Sequence, residues 1–251
     1  MAKTDNTTKD TSGVNRRGVL KLGAMAGTAA LLEAARQAFP AGAFAAAPGP
    51  EVNTAKLGFI ALTDSAPVIV AKELGLYAKH GMPGVTVAKQ ASWAATRDNL
   101  VLGSDGGGID GAHILSPMPY LMTLGVNSRA LPMSILARLS VNGQGISVEK
   151  AYLAAKADLN SAKMKGIIAQ RKAAGDKITM AMTFPGGTHD LWLRYWLAAG
   201  GIDPDKDIDL ITIPPPQMVA NMKVGTMDCF CVGEPWNLQL INQGIGYTAV
   251  N

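Results

Sequence analysis

Short apolar runs alternate with stretches of helical apolar spacing from Lys56 to Ala249, and this alternation restricts the chain to sheets with helices packed on their faces. The runs at residues 56–62, 85–88 and 108–115 read as buried strands. Between them lie helices at residues 66–80, ending at Gly81, and at residues 93–102, opened by Ser92 as a cap. The proline-bearing Ser116-Pro117-Met118-Pro119 leads toward a strand at residues 133–138 and a turn at Asn142-Gly143-Gln144-Gly145. The pattern then restarts with helices at residues 148–159 and 162–174. Strands at 178–183, 207–213, 228–232 and 246–249 follow, alternating with helices at 188–199, 217–224 and 236–243. The reading is α/β, in two successive units with parallel sheets.

At 251 residues and 48% hydrophobic content the chain can bury a sizeable core. Its formal charge of +4 is concentrated at the start: residues 1 to 45 carry six of the 23 basic and three of the 19 acidic residues, leaving 17 against 16. That balance lacks the basic footprint of a nucleic-acid binder, so no nucleic-acid partner is expected.

Asn15-Arg16-Arg17-Gly18-Val19-Leu20-Lys21, followed by the small-residue apolar segment 22–32, resembles a twin-arginine export signal. The apolar segment is shorter than the roughly 20 residues of a membrane span. Ala43-Phe44-Ala45 supplies an A-x-A cleavage site, which makes residues 1–45 a signal peptide and residues 46–54 a Pro/Gly/Ala linker. The expected location is periplasmic. The two cysteines, Cys229 and Cys231, sit in an apolar run; they are expected on opposite faces of one strand, buried as free thiols. No cysteine lies near the cleavage site, so no lipid anchor is expected.

Pro185-Gly186-Gly187-Thr188-His189-Asp190 runs into the aromatic helix that carries Trp192 and Trp196. Glycine backbone ahead of a helix start, Thr188 as N-cap and Asp190 in the first turn together read as a cradle for a small oxyanion. Trp192 and Trp196, one turn apart, are expected to pack in the core. Gly106-Gly107-Gly108 lacks the Lys-Ser/Thr of a phosphate-binding loop, and neither a G-x-S-x-G elbow nor a Ser-His-Asp triad is present by motif, so no enzymatic activity is expected.

Five stretches together carry a resemblance: the Leu57 to Pro67 segment, Ala91-Ser92-Trp93-Ala94, the Gly111 to Pro119 segment with His113, the Gly186 to Trp196 helix start, and Cys231-Val232-Gly233-Glu234-Pro235-Trp236-Asn237. Over residues 55 to 251 the chain resembles the nitrate/bicarbonate-binding proteins of ABC importers. The resemblance implies a two-lobed periplasmic-binding-protein type II fold, with a first lobe at residues 55–140 and a second at 141–251. Because members of that family are usually longer, it also implies a fold incomplete at the C-terminus, with the first lobe lacking its returning strands.

For the nitrate-binding branch, the resemblance places the anion between the lobes against Trp93, Gln144, His189 and the Gly233 backbone, with a lysine that falls beyond Asn251. The donor set suits a planar, weakly hydrated oxyanion. The bicarbonate branch is implied to carry a glutamine in place of His189 and an acidic residue with calcium in place of the lysine. His189 thus points to nitrate or nitrite, with an ABC permease in the inner membrane as partner and neither cofactor nor metal. Bicarbonate binding, a cytosolic nitrate sensor and an enzyme on a similar two-lobed fold are the rival readings. Asp64, Ser65 and His113 at strand ends are candidate supporting groups, and Glu234-Pro235-Trp236 is placed to fix the loop at Gly233.

Overall fold

The computed structural model describes residues 49–141 and 143–251; the export signal and its cleavage site lie outside them. A first sheet forms from β1 (Thr54–Phe59), β2 (Gly84–Lys89) and β3 (Gly111–Ala112), in the order β2-β1-β3 with both pairings parallel. The stretch expected to be one helix forms two, α1 (Ala66–Glu73) and α2 (Leu76–Lys79), because the chain turns at Gly75 with φ 65°. Helix α3 (Trp93–Leu102) starts where expected, and the Ser92 hydroxyl accepts the Ala95 N–H at 3.0 Å. The prolines after His113 open a further helix, α4 (Met118–Leu124).

The second sheet has the order β6-β5-β7-β4-β8. It is built from β4 (Gln144–Glu149), β5 (Thr179–Met182), β6 (Asp209–Thr212), β7 (Cys229–Gly233) and β8 (Gly246–Val250). Helices α5 (Lys165–Ala173), α6 (Thr188–Ala199), α7 (Met218–Lys223) and α8 (Trp236–Asn242) connect these strands. Strand β5 runs parallel to β6 and β7, whereas β4 runs antiparallel to both β7 and β8. The expectation of wholly parallel sheets is therefore corrected.

The reason lies in β4. The helix expected at residues 148–159 does not form; its first two residues end β4, and Lys150–Ala155 is a 3-10 turn. Ile146 and Val148 face one core, while Gly145 and Ser147 face α8. A Cβ at Gly145 would come within 3.0 Å of the Asn237 side chain, and the Ser147 hydroxyl donates to Asn237 Oδ1 at 2.7 Å. A strand with glycine and serine on one buried face lacks the apolar density by which buried strands are recognised. Two further expectations fail for want of partners. Residues 133–138 join no ladder, with Leu136 95% exposed, and the run at 108–115 narrows to the two residues of β3.

The second sheet is covered on both faces. On one, Ile146, Val148 and Met180 pack with Leu193, Trp196 and Leu197 of α6, and both cysteines join them. Cys229 and Cys231 therefore share a face, correcting the expectation of opposite ones: strand side chains alternate, so residues two apart point the same way. On the other face, Phe230 and Val232 pack against Met218 and Met222 of α7 and also against Ile60, Leu62, Trp93 and Leu115. That cluster joins the two sheets. Each such large side chain contributes about 1.5–3 kcal/mol when fully buried.

Candidate functional site

The strand ends of both sheets meet at this shared core. Thr63–Ser65, a 3-10 turn directly after β1, brings in Asp64; the Thr63 N–H donates to the Glu234 carbonyl at 2.8 Å, and Trp236 Nε1 donates to the Ala61 carbonyl at 3.0 Å. The Glu234-Pro235-Trp236 segment, whose Glu234–Pro235 bond is cis, thus ties the end of β7 to the end of β1. Ligands of open α/β sheets bind at such carboxyl ends of parallel strands.

Gln144 begins β4 and Gly233 ends β7, and the antiparallel register sets them opposite one another. Gly233 is required there by space: a Cβ would meet the Gly143 carbonyl at 3.0 Å and Leu62 Cδ2 at 3.2 Å. Trp93 is the first residue of α3 and is fully buried, with its ring centroid 5.4 Å from that of His113. His113, which follows β3, brings Nε2 to 3.0 Å from Asp64 Oδ1, a close approach whose angle forms no hydrogen bond.

His189 is the second residue of α6, 1% exposed, with Nδ1 2.6 Å from the Thr183 hydroxyl. Burial pushes its imidazole down to about pKa 3, against the opposing pull of the Asp64 carboxylate. It is neutral at physiological pH and carries one N–H.

Asp64 Oδ1, Trp93 Nε1, His113 Nδ1 and Gln144 Oε1 are buried without a hydrogen-bond partner among the described residues. Leaving one buried polar group unsatisfied costs about 1–3 kcal/mol, so these neighbouring strand ends and the start of α3 make the candidate site. Among the described residues no group of three or more His, Cys, Asp or Glu is placed to hold a metal ion. An open cavity of about 320 Å³ lies elsewhere, between Lys89, Gln90 and Ala91 after β2 and Pro214, Pro216 and Gln217 after β6. The buried polar groups do not line it.

The glycine turn does not act as the sequence suggests. Gly187, not Thr188, takes the N-cap position, with no side-chain cap. The Gly186 N–H donates to Asp190 Oδ2 at 2.7 Å and the Gly187 N–H to the Phe184 carbonyl at 3.0 Å, so these amides are spent within the turn. Asp190 is held from the other side by Arg194 Nε at 2.7 Å. The same helix start carries the buried His189 ring. The two tryptophans of α6 also part company: Trp196 is buried and donates Nε1 to the Asp158 carbonyl at 2.8 Å, whereas Trp192 is 43% exposed. Thr183 escaped sequence analysis; its one local signal is a hydroxyl at the end of β5 just ahead of the glycine turn.

The chain is 64% identical over 203 residues to the nitrate/nitrite binding protein NrtA of Synechococcus elongatus, covering 80% of this chain and 46% of that protein. It is 47% identical over 202 residues to the bicarbonate-binding protein CmpA of the same organism, covering 79% and 45%. The crystal structure of the periplasmic nitrate-binding protein NrtA from Synechocystis PCC 6803 superposes with a TM-score of 0.76 at 61% identity, over 80% of this chain and 52% of that one. The chain thus spans about half the length of the curated relatives it matches. Over the shared residues its fold is that of a periplasmic binding protein, as the resemblance implied. Residues 48–251 match the model of the NMT1-like family, and the chain belongs to that family.

Proposed function

We propose that this chain is the substrate-binding component of an ABC importer, capturing nitrate or nitrite for delivery to a membrane permease. The observation that carries the reading is the set of buried polar atoms left unpaired among the described residues on Asp64 after β1, Trp93 at the start of α3, His113 after β3 and Gln144 at the start of β4, with Gln144 set opposite Gly233 of β7. Trp93, Gln144, His189 and the Gly233 backbone are the proposed contacts. Trp93 Nε1 and the His189 ring supply neutral N–H donors, and a weakly hydrated planar anion gives up little to water in exchanging it for such donors. The Gln144 amide offers its N–H₂ end to the same ligand, because a carboxamide presents donor and acceptor from nearly the same shape.

In this reading residues 55–140 and 141–251 act as two lobes joined through the Leu62, Trp93 and Val232 core. Closure of the lobes follows from tighter anion binding in the closed form. Residues 1–45 direct export through the twin-arginine pathway, residues 46–54 are a linker, and the protein works in the periplasm by capture and without chemistry. Similarity to nitrate/nitrite-binding relatives and the histidine at position 189 favour nitrate or nitrite over bicarbonate.

Calorimetric titration of the full-length protein with nitrate, nitrite, and bicarbonate with and without calcium tests the proposal. Saturable binding of nitrate or nitrite is expected. Calcium-dependent binding of bicarbonate alone would move the protein to the bicarbonate reading, and indifference to all three would refute the assignment.

A further inference from the structure

We infer that Thr183 is a positioning residue that makes His189 a one-way hydrogen-bond donor, with Nε2–H turned to the captured anion; the ligand half of this inference rests on the nitrate/nitrite reading above. Thr183 follows β5 directly, is 2% exposed, and places Oγ1 2.6 Å from His189 Nδ1. A neutral imidazole has a single N–H, so two arrangements can fill that contact. In one, Nδ1–H donates to the threonine oxygen and the hydroxyl proton needs a second acceptor; among the described residues the Thr183 hydroxyl has none. In the other, the hydroxyl donates to Nδ1, which satisfies the hydroxyl proton and Nδ1, and the ring proton resides on Nε2, where the anion would accept it. The first arrangement leaves both the hydroxyl proton and the Nε2 lone pair without partners among the described residues, whereas the second leaves only Nε2–H, a donor that a bound anion satisfies, and this difference selects the second.

The selected tautomer has a consequence for ligand choice. Nε2, on the far side of the ring from Thr183, is a donor and cannot accept. An oxyanion lone pair satisfies it, whereas a ligand turning an O–H toward it leaves two protons facing each other. Asp64, whose charge reaches the ring, makes no hydrogen bond to it and leaves Nε2–H free of that carboxylate. Fully deprotonated oxyanions are thereby favoured at this position.

¹⁵N-histidine labelling of the full-length protein, with the His189 signals identified by their loss in His189→Gln, yields a spectrum in which the two ring nitrogens report the tautomer directly. At pH 7 the His189 signals are expected in the Nε2–H pattern. Thr183→Val, which keeps shape and removes the hydroxyl, is expected to lose that pattern and to weaken nitrate binding by about 5- to 30-fold at unchanged secondary structure. Thr183→Ser is expected to restore both. An Nδ1–H pattern in the unmodified protein would overturn the inference without any variant, and so would nitrate affinity unchanged in Thr183→Val while the unmodified protein binds. If the unmodified protein binds neither nitrate nor nitrite, the anion reading fails, and the tautomer pattern still decides what Thr183 does.

Discussion

Gln144 and Gly233 stand directly opposite one another on the antiparallel pair of β4 and β7, so two residues far apart in sequence present a side-chain amide and a backbone amide at the same sheet end. This pairing depends on close approach. A Cβ at Gly233 would press on the Gly143 carbonyl at 3.0 Å and on Leu62 at 3.2 Å. Gly233→Ala is expected to destabilise the protein by about 1–3 kcal/mol and to weaken nitrate binding by moving the start of β4. Denaturant melts and calorimetry on the same preparation check both; a variant as stable and as tight-binding as the parent would contradict the crowding.

His189→Ala removes the proposed buried donor. A loss of about 1–3 kcal/mol in nitrate binding is expected, with the fold retained, since the ring is one of several contacts. Titration calorimetry reads this directly, and full affinity in the variant would return His189 to a purely packing role.

The same residue makes stability depend on pH. In the unfolded chain an ordinary histidine takes up its proton near pH 6.5, whereas buried His189 does so only near 3. Between those values the unfolded state binds the extra proton, so stability falls as pH is lowered, by about 1.4 kcal/mol per unit from this group; above pH 6.5 it contributes no slope. Thermal melts from pH 7.5 to 4.5 are expected to drop less steeply in His189→Gln. Identical slopes would mean that the ring is not held neutral.

Asp190 ties the glycine turn to α6 through the Gly186 N–H and Arg194. Asp190→Ala leaves the Gly186 amide without its partner and is expected to cost about 1–3 kcal/mol of stability. Asp190→Asn, which keeps an acceptor for that amide, is expected to lose less. Urea unfolding of the pair orders them, and equal losses would show that charge pairing with Arg194, not the amide, is what matters.

Cys229 and Cys231 are fully buried on the same face of β7, and burial pushes both thiols well above their usual range. Neither is expected to react with iodoacetamide in the folded protein at pH 8, while both react in denaturant. Intact-mass spectrometry counts the adducts; labelling under native conditions would show that this face opens.

Helix α6 has the bounds expected of it, Thr188–Ala199, because its apolar spacing and flanking glycines are local signals. The strands β5, β6 and β7 were likewise legible, since buried parallel strands are dense in apolar residues. Strand β4 was not: Gly145 and Ser147 owe their fitness to Asn237, and no local propensity encodes a contact with a distant helix. The role of the glycine turn was misread for a related reason, as its amides are consumed by Asp190 and the Phe184 carbonyl once the turn closes.

By itself the sequence determined the alternation of strands and helices, the residue types available at the strand ends, and membership of a family whose members it matches along residues 48–251. Only the tertiary structure decided that β4 runs antiparallel, that Gln144 meets Gly233, that His113 approaches Asp64, and that Thr183 faces His189. The reason is one of range. Helix and strand formation respond to neighbours within a turn or two of chain, whereas register between distant strands and the burial of single polar atoms are settled by the packing of the whole molecule.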